Sequence, residues 1–268
     1  MTSPSTDKVF AGSIPKIYEA HLVPLIFQPY ADDLARRLAS RPLRRVLEIA
    51  AGTGVVTRAL ASALPDRVEI VATDLNPGML DQAIAIGTPR RVEWRQADAM
   101  QLPFADAEFD AVVCQFGAMF FPDRAKAFAE ARRVLRPGGV FLFNVWDRIE
   151  ENEFAHAVTA ALETVFPDDP PRFMARTPHG YHDKALIARD LAQGGFASTA
   201  VEAVSRAESA RVAAVAYCQG TPLRSEIEAR DASRLEAATD VAAREIATRF
   251  GDGSVEGRMR AHIVSIEA

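Results

Sequence analysis

The chain has 268 residues, 49% of them hydrophobic and 25% charged, which is globular composition with enough length to bury a core without disulfide or metal staples. A formal net charge of −5 provides no basic field for a polyanion, so nucleic acid is not an expected partner. Cys114 and Cys218 have no metal-ligand spacing, the N-terminus lacks a signal-peptide pattern, and no apolar run approaches the roughly 18 residues of a membrane span. A cytoplasmic protein without a metal centre is expected.

The first forty residues turn from polar to apolar, and Pro24 and Pro29 predict two helices broken at those points. From residue 42 short apolar runs alternate with helical spacing. RRVLEIA is a strand and VVTRALASAL a helix. RVEIVATD is a strand, and NPGMLDQAIAIG a helix with Pro77 in its first turn and Gly87 near its end. RVEWRQAD and FDAVVCQFG are further strands. FPD starts the helix DRAKAFAEARRVL, RPGG is a turn, and VFLFNVWD is a fifth strand.

Such alternation means βαβ units and a parallel sheet, with ligands bound beyond the carboxyl ends of the strands. Beyond residue 150, NEFAHAVTAALETVF is helical and a proline-rich connection leads to HGYHD, expected as a surface loop. KALIARDLAQGGF is a helix, ASTAVEAVSR a strand, residues 208–248 are helical, and GRMRAHIVSIEA closes the chain as a strand.

The turn AAGTG after the first strand has two chemical uses. One is to hold a dinucleotide pyrophosphate on the helix N-terminus. The run from Gly52 is Gly-Thr-Gly-Val-Val-Thr, so Thr57 stands where that fingerprint has its third glycine. The other use is to admit a nucleoside with an amino-acid tail. Asp74, ending the second strand, suits the ribose diol of either ligand. Glu48 favours a cationic tail and would repel phosphates. Asp98 is placed to accept from an adenine amine, with the Ala99 N–H beside it. An ammonium- and sulfonium-bearing ligand fits these acids better than a pyrophosphate.

The run VLEIAAGTG, followed in order by VATDLNPGML, QADAMQLPFADAEFDAVVCQFGAMFFPD and ARRVLRPGGVFLFNVWD, resembles the class I S-adenosylmethionine-dependent methyltransferases. More narrowly it resembles the ubiquinone and menaquinone biosynthesis C-methyltransferase branch. The resemblance implies an α/β, Rossmann-like seven-stranded sheet of order 3-2-1-4-5-7-6, with only the last-numbered strand antiparallel. It also implies helices on both faces, N-terminal helices, and a helical cover between the last strands. The corresponding segments are an N-terminal cap at 1–40, a cofactor-binding core at 41–150, and completion of the sheet with cover insertions at 151–268.

By the same resemblance, Glu48, Ala50, Gly52 and Gly54 form the loop for the methionine tail of S-adenosyl-L-methionine. Asp74 takes the ribose, with Leu75 and Met79 beside adenine and ribose. Asp98 and Ala99 meet the adenine, and Gln115 and Phe116 border the sulfonium and acceptor. Ala50 replaces a glycine common in this family, which implies a negative φ there, since only φ > 0 strictly calls for glycine.

The implied reaction is methyl transfer by in-line displacement to a small organic acceptor at carbon, oxygen or nitrogen, leaving S-adenosyl-L-homocysteine. Tyr18, His21, Phe116, His179 and Tyr181 are the acceptor-pocket candidates. Tyr18, Phe116, Phe120 and Phe121 are the aromatic candidates for attraction to a sulfonium. No metal is called for, and a homodimer is left open. The rival readings are an NAD(P)-dependent oxidoreductase and a non-catalytic binding protein on the same fold. Against the first stand the missing third glycine and Glu48.

Overall fold

A computed structural model of the chain describes residues 7, 10, 12–197, 200–202 and 206–268. Helical conformation starts at α1 (Ile14–Ile17), continues as a π-helical segment over Tyr18–Phe27 and passes into α2 (Gln28–Ala39). The breaks expected at Pro24 and Pro29 do not occur. Pro24 lies inside the π-helical segment, whose wider register relaxes the ladder that a proline otherwise breaks. Pro29 is the second residue of α2, directly after the π-helical segment, where the hydrogen-bond register changes.

The alternation then follows the sequence. It runs through β1 (Arg45–Ile49), α3 (Val55–Ala63), β2 (Glu69–Asp74), α4 (Pro77–Ile86), β3 (Glu93–Gln96), β4 (Phe109–Gln115), α5 (Arg124–Val134) and β5 (Leu135–Trp146). Asp123 caps α5 by accepting the Lys126 N–H at 2.9 Å, as the FPD signal predicts.

The rest of the chain comprises α6 (Glu153–Val165), α7 (Phe173–Arg176), α8 (Lys184–Gln193), β6 (Ala200–Glu202), β7 (Arg206–Ser209), α9 (Ala210–Gln219), α10 (Leu223–Asp231), α11 (Leu235–Phe250), β8 (Ser254–Gly257) and β9 (Ala261–Glu267). The strand expected over 197–206 is described at Ala200–Glu202; residues 198–199 and 203–205 lie outside the described residues.

Seven strands form one sheet in the order β3-β2-β1-β4-β5-β9-β6. Four neighbouring pairs of it are parallel. β9 runs against β6 and against β5, through hydrogen bonds that link Gly138 to Ala268 and Asp147 to Arg260. β7 and β8 pair as a separate antiparallel sheet. RPGG is a bulge inside β5 and not a turn before it, because Phe109 pairs with Leu135 while Ala111 pairs with Val140. Pro137 has no N–H to give the ladder, so proline is confined to such irregularities.

The chain divides into two compact units. The sheet unit comprises residues 28–145, 182–202 and 262–268. Its central strands are apolar on both faces, as helices on both sides require: Val46, Leu47, Val112, Val113, Phe141 and Phe143 are all buried. Phe128 of α5 packs on Phe143 with ring centroids 5.3 Å apart.

The helical unit comprises residues 1–27, 146–181 and 203–261. In it Asp7, buried, accepts hydrogen bonds from Arg176 and Thr177, and Arg176 also pairs with Glu226. No helix among the described residues is long and apolar enough to cross a membrane.

Candidate functional site

Strand register brings the polar candidates of the sheet unit together. Glu48 pairs with Ala72 on β2 and with Val113 on β4, and Gln115 pairs with Asn144 on β5. Paired residues share a face and alternate residues return to it. Glu48, Asp74, Gln115 and Asn144 therefore stand on one face of the sheet at the carboxyl ends of four adjacent strands.

The glycine loop is built from left-handed residues at alternate positions, with φ of 55° at Ala50, 58° at Gly52 and 83° at Gly54. The negative φ expected at Ala50 is therefore wrong. Alanine is held in the left-handed region because the loop is fastened on both sides. Ala51 N–H donates to the Thr73 carbonyl at 2.9 Å, and Gly52 N–H donates to Asp74 Oδ2 at 2.8 Å. Gly54 has a second constraint besides its φ, since a Cβ built there falls 2.8 Å from Cη2 of Trp94.

Glu48 is buried and accepts a hydrogen bond from the Thr57 hydroxyl at 2.5 Å. The residue that replaces the third glycine of a dinucleotide loop is thus the partner of the acid. Burial pushes the Glu48 carboxyl up to about 8, against the lowering influence of Thr57 and of the Arg58 charge. Asp74 is also raised by burial, offset in part by the N–H groups of Asn76 and Gly52. The Asn76 N–H donates to Asp74 Oδ1 at 2.8 Å. Thr53 in the same loop is buried, and its hydroxyl oxygen has no hydrogen-bond partner among the described residues.

Two buried carboxyls and an orphaned hydroxyl around one glycine loop offer hydrogen-bonding groups to a ligand seated there. The residues present fit an amino-acid-tailed nucleoside, which offers them an ammonium group and ribose hydroxyls.

Leu75 is 48% exposed, an unusual setting for leucine at the end of a strand, whereas Met79 and Ala99 are buried. Asp98 lies beyond β3 and accepts the Met100 N–H at 2.8 Å. Phe116 adopts φ 48°, and Tyr30 meets it edge to face with centroids 5.1 Å apart. Cys114 is buried, its thiol pushed up to about 12 by burial, so it is inert.

The other acceptor-pocket candidates belong to the helical unit. His21 is half-buried on the π-helical segment. Tyr18 stacks on Phe27 at 4.9 Å, Phe27 meets Trp146 at 6.1 Å, and Trp146 meets His179 at 6.0 Å. HGYHD is a loop with Gly180 and Asp183 exposed, but His179 and Tyr181 are both buried. His179 Nδ1 lies 2.9 Å from the Asp147 carbonyl. A carbonyl only accepts, so Nδ1 carries a proton.

Sequence reasoning missed Thr53, Thr57, Trp94, Tyr30 and Asn144. For Asn144 a signal existed, a lone amide inside the apolar run VFLFNVW.

Residues 47–143 match the family model described as a methyltransferase domain. The chain is 44% identical over 107 residues to a demethylmenaquinone methyltransferase of Deinococcus radiodurans, covering 39% of this chain and 44% of that protein. It is 31% identical over 170 residues to a ubiquinone/menaquinone biosynthesis C-methyltransferase of Teredinibacter turnerae, covering 59% of this chain and 68% of that protein. The chain thus spans from under half to about two thirds of these curated relatives.

Among solved structures, a Haemonchus contortus phosphoethanolamine N-methyltransferase, in complex with phosphomonomethylethanolamine and S-adenosylhomocysteine, superposes with a TM-score of 0.55 at 18% identity. That superposition covers 89% of this chain and 52% of the other, and at such identity it speaks to fold alone. With the sheet order, the glycine loop and the family match in agreement, the chain belongs to the class I S-adenosylmethionine-dependent methyltransferases, in the ubiquinone and menaquinone C-methyltransferase branch.

Proposed function

We propose that this chain is a cytoplasmic enzyme that transfers the methyl group of S-adenosyl-L-methionine to a small organic acceptor and releases S-adenosyl-L-homocysteine. The observation that carries this is the pair of buried carboxyls, Glu48 and Asp74, on one sheet face at the glycine loop. In this reading Glu48 with the loop of Ala50, Gly52 and Gly54 receives the amino-acid tail, and Asp74 takes the ribose hydroxyls. Exposed Leu75, with Met79, Asp98 and Ala99, receives the adenine. Gln115 and Phe116 border the sulfonium. The bound cofactor supplies a methyl carbon made electrophilic by its sulfonium.

The protein's part is to align and to exclude water. Burial of Phe116 and Gln115 serves the second. The similarity to demethylmenaquinone and ubiquinone/menaquinone methyltransferases makes a quinol-type ring the first acceptor to try, ahead of phenols and amines.

Calorimetry with S-adenosyl-L-homocysteine and with NAD tests the cofactor. Micromolar or tighter binding of the former with none of the latter is expected, and binding of NAD alone overturns the proposal. Turnover against quinols, phenols and amines then separates an enzyme from a protein that only binds.

A further inference from the structure

Phe116 is one of three non-glycine residues with positive φ among the described residues, the others being Ala50 and Ala107. It is the bulkiest of the three. An aromatic residue is disfavoured in this region, and it persists there only where neighbours over-determine it. Strain held in this way concentrates at functional sites, so its cause is worth tracing.

The Phe116 backbone is held from the next strand. The Phe116 N–H donates to the side-chain Oδ1 of Asn144 at 2.9 Å and to the backbone carbonyl of the same residue at 3.2 Å. A second restraint is the edge of Tyr30 against the Phe116 ring. Asn144 is fully buried in β5, between Phe143 and Val145, which are buried as well. Its Nδ2 has no hydrogen-bond partner among the described residues. The amide orientation is settled by the bond to Phe116, because only oxygen can accept that N–H.

An apolar residue here would fill the strand without stranding two N–H donors. The Phe116 N–H would still have the backbone carbonyl to bond. Local stability therefore argues against asparagine at this position, and local rules are broken chiefly where function requires it. What asparagine adds is a second acceptor on the Phe116 N–H, directly after Gln115.

We propose that Asn144 is a positioning residue for methyl transfer: its carboxamide oxygen holds Phe116 in the left-handed conformation that places the ring at the border of the transfer site. The inference rests on the proposed function for the role of Phe116, and on the structure alone for the link from Asn144 to the Phe116 backbone.

The test compares Asn144→Leu, which removes the side-chain acceptor at similar volume, with Asn144→Asp, which keeps an acceptor oxygen in the same place. Three measurements are made: the Phe116 φ from crystal structures, affinity for S-adenosyl-L-homocysteine by calorimetry, and kcat and KM with the best acceptor of the wild-type panel. In the leucine variant Phe116 is expected at negative φ and kcat falls at least about tenfold, while the homocysteine affinity stays within about threefold. The aspartate variant keeps the positive φ and recovers most of kcat.

A leucine variant with Phe116 still at positive φ overturns the proposal, and so does one with reversed φ and unchanged kcat. A parallel loss of affinity and kcat marks a merely structural role and overturns it too. If the leucine variant does not fold, Asn144→Ala removes the same acceptor without added shape and is read by the same outcomes. Failure of the wild-type protein to bind S-adenosyl-L-homocysteine strikes the proposed function, whereas the Phe116 φ in the variants still decides the link.

Discussion

Ala50 and Gly117 touch across the carboxyl ends of β1 and β4: a Cβ built on Gly117 falls 2.5 Å from the Cβ of Ala50 and 2.8 Å from the Cys114 sulfur. The left-handed φ of Ala50 and the absence of a side chain at 117 are thus two halves of one contact. The turn after the first strand and the turn after the fourth approach closely there.

Gly117→Ala is therefore an overpacking change at a rigid backbone site, expected to destabilise by about 1–3 kcal/mol. Ala50→Gly removes a left-handed alanine, whose cost is about 1–2 kcal/mol offset in part by the greater chain entropy of glycine. A small gain in stability follows. Urea unfolding of both single variants and of the double variant measures the coupling. Additive effects would show that the two residues do not share this contact.

The Glu48 carboxyl is raised from 4.5 to about 8 by burial, which gives stability a definite dependence on pH. Between those values the unfolded chain has lost the proton and the folded chain keeps it, so stability falls as pH rises through the window. The slope is about 1.4 kcal/mol per pH unit for one such group. Glu48→Gln removes this dependence, and unfolding midpoints at pH 5, 6, 7 and 8 should be flatter in the variant than in the parent. An identical slope in both proteins would exclude Glu48 as the source.

Asp74 accepts N–H groups from Gly52 and Asn76, each at 2.8 Å. Asp74→Ala strands both donors beside the glycine loop, at about 1–3 kcal/mol of stability. On the proposed function it also loses the ribose contacts, and homocysteine-cofactor affinity falls about a hundredfold or more. Calorimetry reads the second effect. Unchanged affinity would remove Asp74 from the cofactor site.

In the helical unit, Arg176 serves both Asp7, which is buried, and Glu226. Arg176→Ala takes the guanidinium away from Asp7 and leaves it the hydrogen bond from the Thr177 hydroxyl. Breaking a buried pair from one side is costly, and because the guanidinium is 28% exposed a loss of about 2 kcal/mol is expected, below the range for fully buried pairs. Urea unfolding of the variant against the parent measures the loss, and equal midpoints would show that this cluster does not stabilise the helical unit.

Much of this protein is decided by local pattern. Strand and helix order through residue 146, the Asp123 cap and the acids at strand ends follow from hydrophobic period and turn chemistry, which act between residues close in the chain. The family resemblance adds the sheet order, including the reversed last strand, and the structure agrees. What local pattern misjudged depends on distant partners. Proline did not break the first helices, because a π-helical register absorbs it. RPGG became a bulge because its flanks pair with β4. HGYHD is a loop as its composition suggests, but its His179 and Tyr181 are buried.

The conformation of Ala50 is the clearest case. Taken alone, an alanine in a glycine loop implies a negative φ, since the penalty for the left-handed region is local. The structure imposes the positive value through Thr73 and Asp74 on one side and the gap left by Gly117 on the other. Asn144 acts on Phe116 in the same manner from a neighbouring strand. Sequence by itself determined the elements, their order and the acids at the strand ends. Only the tertiary structure decided which backbone strains are kept, because hydrogen bonds and packing between strands outweigh single-residue preferences of about 1–2 kcal/mol.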